Sequence, residues 1–157
     1  MHEDRLRALR VLSRIKESAL EKVQADMASC MAKEARLLQE IAEGEKEIAR
    51  QRDEVLPHGI GEDALLLQQS FREWLPDALS EIQSLENQLS SAKQETGECR
   101  GRLAAANLEL EATADLIRTL EAEDRADRQR KEQNEIDDIS RGQFLLRRKI
   151  KKRKTIV

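Results

Sequence analysis

A chain of 157 residues would suffice for one globular domain, but 38% charged and 2% aromatic residues leave too little apolar mass for a thick core. The two cysteines, two histidines and six scattered glycines argue against a disulfide scaffold, a zinc cluster and a glycine-rich phosphate loop. No apolar run reaches bilayer-spanning length and no secretory leader pattern opens the chain, so a soluble, intracellular protein is expected.

Acidic Glu3 and Asp4 stand where a helix start favours negative charge, and a first helix is expected from about Leu6 to Val55. Its apolar seam is read as Leu9, Leu12, Ile15 and Ala19, then a one-residue phase shift, then Val23, Met27, Cys30, Glu34, Leu37, Ile41, Gly44, Ile48, Gln51 and Val55. Glu34, Gly44 and Gln51 weaken that seam, since a helical glycine costs roughly 1 kcal/mol relative to alanine. Leu56-Pro57-His58-Gly59-Ile60-Gly61 concentrates helix breakers, so a turn is expected over 56–62. A second helix is expected over about 63–141, with a kink or a short separate helix at Pro76.

The strongest pattern in the chain lies within this second helix. Alternating steps of three and four from Leu75 reach Ala78, Ile82, Leu85, Leu89, Ala92, Thr96, Cys99, Leu103, Ala106, Leu110, Thr113, Ile117 and Leu120. Polar residues fill the gaps, so the stripe is narrow and needs a partner helix, as in a coiled coil. With one short turn between two long helices, the expected fold is all-α, a long antiparallel two-helix coiled-coil hairpin with an overhanging C-terminal helix. Three registers satisfy both seams, with paired residue numbers summing to about 119, 126 or 133, and none sets Cys30 directly opposite Cys99. Both cysteines are therefore expected as reduced packing residues. Gly97 and Gly101 lie off the seam, on a solvated face, and residues 142–157 are expected to form a flexible basic tail.

Charge is strongly segregated along the chain. Residues 1–16 carry five basic and two acidic groups and residues 125–157 twelve and five, whereas residues 17–124 carry eleven and twenty-four. A hairpin would bring the two basic segments together. Arg7, Arg10 and Arg14 share one helix face by their spacing, and Arg128 and Lys131 belong to the opposing charged stretch. These five, with Phe71 and Trp74 near the turn, are the candidate partner-binding residues. The aromatic pair either plugs the end of the coiled coil or docks a partner.

Catalytic chemistry finds no support in the pattern. His2 and His58 lack metal-ligand spacing, and carboxylates on a solvated two-helix protein have no cleft to raise their pKa values. No enzyme activity, cofactor, metal or small-molecule substrate is therefore expected. Nucleic acid is a poor partner, because Phe144 alone supplies an aromatic ring among the C-terminal basic residues.

The basic opening Arg5-Leu6-Arg7-Ala8-Leu9-Arg10-Val11-Leu12, the long helical hairpin, and the stretch Arg128-Gln129-Arg130-Lys131-Glu132-Gln133-Asn134-Glu135-Ile136-Asp137-Asp138-Ile139 together resemble FliJ/YscO-type proteins. These are central-stalk components of flagellar and virulence type III secretion ATPases. The resemblance implies an antiparallel two-helix stalk whose terminal end enters a hexameric secretion ATPase, with other surfaces touching the export gate or secretion chaperones. It also implies a cytoplasmic location, peripheral to the inner-membrane export apparatus. The basic tail from Phe144 onward departs from that pattern. The rival expectation is a dimeric scaffold or tether, its seams paired between chains and its tail directed at membrane or nucleic acid.

Overall fold

The computed structural model describes residues 2–56 and 61–156, which form two helices, α1 (His2–Val55) and α2 (Glu62–Ile156). They pack against each other as a helical hairpin, the all-α arrangement that the two seams require. Acidic residues occupy the first turn of each helix (Glu3, Asp4; Glu62, Asp63) and basic residues the last (Arg52; Arg153, Lys154), which complements both helix dipoles. The Leu56 N–H donates to the Arg52 carbonyl and the Leu65 N–H to the Gly61 carbonyl, both at 3.0 Å. The breakers Pro57, His58, Gly59 and Ile60 lie outside the described residues.

The fold divides into two compact units. The central unit is Ser18–Leu108, and the terminal unit joins the N-terminal stretch through Glu17 to the chain from Glu109 onward.

In the central unit the buried residues are Leu37 and Ile41 of α1 and Ala64, Ile82, Ala92, Thr96 and Cys99 of α2. On α1, burial follows Val23, Met27, Cys30, Glu34, Leu37, Ile41, Gly44, Ile48, Gln51 and Val55, with no exposed position among them. The α2 seam holds as read from Leu75 to Leu103, and extends back through Phe71 and Gln68 to Ala64. The Thr96 hydroxyl donates to the Ala92 carbonyl at 2.9 Å, which satisfies a polar group the seam has buried. Pro76 sits inside α2 and does not split off a separate helix. It lies on an exposed face, as does Arg72, whose carbonyl loses its helical donor, so water can replace the missing hydrogen bond.

Gly44 is a point of close approach and not merely a weak spot: a Cβ there would lie 3.2 Å from Ile82 Cγ1. Cys30 and Cys99 are free thiols and not direct opposites, yet their Sγ atoms are 3.2 Å apart. The Gly44–Ile82 contact is the one the middle register requires, and that register places Cys30 opposite Thr96. A knob of a coiled coil fits a hole made by four facing residues, however, so Cys30 also reaches the residue one step along. Counting direct opposites omits that neighbour. Gly97 and Gly101 face open space, as their off-seam positions imply.

In the terminal unit the seam of α1 passes through Leu6, Leu9, Ser13 and Lys16, and that of α2 through Leu110, Thr113, Ile117 and Leu120. Leu12 and Ile15, read as seam residues, are exposed, as is Val11, and Ala19 just beyond is exposed too. The phase shift does not occur. A skipped residue would rotate the stripe by about 100°, away from an α2 seam that continues without a skip. Lys16 is accommodated in phase because its stem packs along the seam while its ammonium reaches Glu109 Oε2 at 2.6 Å. Thr113 is buried with its hydroxyl donating to the Glu109 carbonyl at 2.9 Å.

Beyond Asp127 every described residue of α2 is exposed, yet the helix continues to Ile156. The expected helix end near residue 141 and the flexible tail over 142–157 are thus replaced by helix as far as the described residues reach. The sequence there is rich in Arg, Lys and Gln and contains no proline, and Gly142 is its weakest helix former.

Candidate partner-binding surface

The terminal unit carries the charged surface. An open groove between its helix segments is lined by Arg7, Arg10 and Arg14 on one side and by Glu121, Asp124 and Arg128 on the other, with Leu6 at its floor. The three arginines stand together because their spacing places them on one flank of α1, beside the seam position of Leu6. Their neighbours decide how much charge each one offers. Arg10 Nη2 lies 3.3 Å from Glu121 Oε1. Arg128 is held by Asp124 at 3.0 Å and lies 3.8 Å from Glu3. Arg7, Arg14 and Lys131 form no ion pair among the described residues and are exposed, so their charge is open to a partner. The structure thus brings Arg7, Arg10, Arg14 and Arg128 to one groove. Lys131 stands one turn of α2 beyond Arg128 and is not among the groove residues.

Phe71 and Trp74 belong to the central unit. Their ring centroids are 6.0 Å apart at an interplanar angle of 41°, and both rings are half-buried. With Gln51, Glu54, Val55 and Leu67 they line a small depression, so they cover the ends of the packed segments and still present an edge to solvent. Leu65 and Leu66 beside them are exposed.

Two side-chain clusters in the central unit have shifted proton affinities. Glu47 accepts two hydrogen bonds from Arg50, at 2.6 and 3.0 Å, and one from Gln51 at 3.0 Å, which hold its carboxyl down at about 2. The Cys30 thiol is pushed up, chiefly by its hydrogen bond with Cys99 and then by burial. Arg102 Nη2 donates to Cys99 Sγ at 3.0 Å, so the arrangement that suits both sulfurs has the Cys30 S–H donating to Cys99. The first cluster runs along α1, and the second joins α1 to α2. Neither lies in a cleft, and the Glu47 shift favours the ionised form, the opposite of what a general acid needs.

Reading the sequence missed the exposed apolar set Val11, Leu12 and Ile15, because it assigned Leu12 and Ile15 to the seam. The discriminating signal was available: three-and-four stepping carried back from Leu37 without a skip reaches Leu20, Lys16, Ser13, Leu9 and Leu6.

Two helices that bury a heptad seam, with the charge of both terminal segments gathered on one unit, define a coiled-coil protein. Among the described residues there is no group of three metal-ligating side chains, and no described helix is long and apolar enough to cross a membrane. Residues 5–149 match the profile of the family described as flagellar FliJ protein, and the chain belongs to that family. No curated protein and no solved structure matched the chain. Membership associates the chain with the flagellar type III export apparatus, of which the FliJ family is a non-enzymatic, cytoplasmic component.

Proposed function

We propose that this protein is an accessory stalk of the export apparatus that binds the hexameric secretion ATPase through its terminal unit and couples it to the export gate or to secretion chaperones. The observation that carries this reading is the groove of the terminal unit, where Arg7 and Arg14 stand exposed, with no ion pair among the described residues, beside the Arg10–Glu121 and Arg128–Asp124 pairs. Charge arranged in this way steers an acidic partner surface toward the groove and fixes its orientation. The exposed Val11, Leu12 and Ile15 on the same helix segment add the apolar area that a stable contact requires. Phe71 and Trp74, half-buried with a free edge, are the second contact region, suited to the gate or a chaperone.

The test is a binding assay of the full chain against the export ATPase with Arg7, Arg10 and Arg14 all replaced by Glu. Loss of binding by a factor of roughly 100 or more is expected, since like charges would face each other across the contact. Circular dichroism establishes that the variant keeps its helices. A folded triple variant that binds as tightly as the wild type would refute the groove as the ATPase contact.

A further inference from the structure

The last segment of α2 has a chemistry that the stalk reading does not use. From Ile139 to Ile156 the chain contains eight basic residues (Arg141, Arg147, Arg148, Lys149, Lys151, Lys152, Arg153, Lys154) and no acidic one. It is helical throughout, every residue is exposed, and none of the eight forms an ion pair among the described residues. Large apolar side chains stand among these charges, also exposed: Phe144 64%, Leu146 61% and Ile150 52%. The family match ends at residue 149, inside this segment.

The position of the apolar side chains indicates what can cover them. Continued past Asp127, the α2 seam would fall on Lys131, Asn134, Asp138, Arg141, Leu145, Arg148 and Lys152, so a helix packed in phase with α1 would meet mostly charged and polar groups. Ile136, Ile139, Leu146 and Ile150 follow a different stripe, two residues out of phase and interrupted at Gln143, while Phe144 and Leu145 lie off it. Arg147, Lys149 and Lys154 flank that stripe and Arg153 continues it, with stems long enough to lie along an apolar surface while the charges stay in water. A nucleic acid would use the charge and leave Leu146 and Ile150 uncovered. A helix with an apolar stripe, basic flanks and no acidic residue matches an anionic bilayer surface, with the stripe at the acyl boundary and the basic groups at the headgroups.

We infer that the C-terminal segment of α2, residues 139–156, is an amphipathic helix that lies on anionic phospholipid membranes. It lies on the surface and does not cross, since no described helix is apolar enough to span. This inference is independent of the ATPase contact and places a second docking function on the same helix, beyond the groove lined by Arg7 and Arg14.

The test is sedimentation of the full chain with vesicles of phosphatidylglycerol and phosphatidylcholine in equal parts, and with vesicles of phosphatidylcholine alone. Binding is expected only to the anionic vesicles and should weaken as salt is raised. Replacing Arg147, Lys149, Arg153 and Lys154 by Gln should lower the affinity roughly a thousandfold, at about a factor of five for each charge. Replacing Leu146 and Ile150 by Ser should lower it about tenfold or more, because both lose burial at the interface. All six side chains are exposed, so these variants should keep the α1–α2 packing, which thermal unfolding followed by circular dichroism checks. The inference is overturned if the wild-type chain ignores anionic vesicles or binds neutral ones equally well. It is also overturned if only the Arg7, Arg10 and Arg14 reversal abolishes binding, or if a DNA duplex competes with the vesicles through the four basic residues while the Ser variant binds as wild type.

Discussion

Leu37 in the central unit has 1% of its surface exposed, whereas on the same helix in the terminal unit Ile15 has 58%. Both units use one three-and-four spacing, but they place different residues on it. The central seam sets Leu37, Ile41, Ile82, Ala92 and Cys99 into the interface, while the terminal seam spends two positions of α1 on Ser13 and Lys16. Both regions leave apolar side chains exposed, Met31, Leu38 and Leu79 in the central unit and Val11, Leu12 and Ile15 in the terminal one; the latter stand next to Arg7 and Arg14, which form no ion pair among the described residues. In a two-helix protein with so little core, a residue that is absent from the seam is available to a partner.

Stability measurements can break this contrast. Replacing Leu37 by Ala should cost about 2–5 kcal/mol in denaturant unfolding, the range for a buried leucine that leaves a cavity. Replacing Ile15 by Ala should cost only a few tenths, within about 0.5 kcal/mol, as for an exposed position. Equal losses at the two positions would show that Ile15 is packed and that the α1 seam does shift phase.

A smaller effect concerns pH and belongs to the central unit alone. The folded state lowers the Glu47 carboxyl from 4.5 to about 2, so its contribution is fully present above the ordinary value and is lost as pH falls toward 2. The folded state raises the Cys30 thiol above 9.0, so its contribution is present below that value and is lost as pH rises through the folded pKa. Urea titrations at several pH values should therefore show stability falling at both extremes. Glu47→Gln should flatten the acid limb, and Cys30→Ala the alkaline one. Limbs unchanged in these variants would mean that other groups carry the pH dependence.

Most of the fold was legible because a heptad is a long-range pattern that one stretch can establish. The α2 seam from Leu75 to Leu120 required no structure, and neither did the pairing of two long helices. The reading failed where local hydrophobicity competed with phase. At Leu12 and Ile15 it preferred the more apolar stripe, although continuity with α2 dictates Ser13 and Lys16. It also stopped α2 near residue 141 and read the basic stretch beyond as a flexible tail, although helix propensity does not depend on burial and extends the helix to Ile156. The candidate arginines were legible from their spacing, but their ion pairs were not, since Glu121 lies 111 positions from Arg10 and only the register brings it within reach.

The central claim is that ATPase binding belongs to the terminal unit and that the seam of the central unit serves packing. Amide hydrogen exchange of the full chain, with and without the export ATPase, tests it most directly. The account predicts that the ATPase slows exchange within residues 2–17 and 121–131 and leaves residues 18–108 unchanged. Protection confined to 18–108 would contradict it.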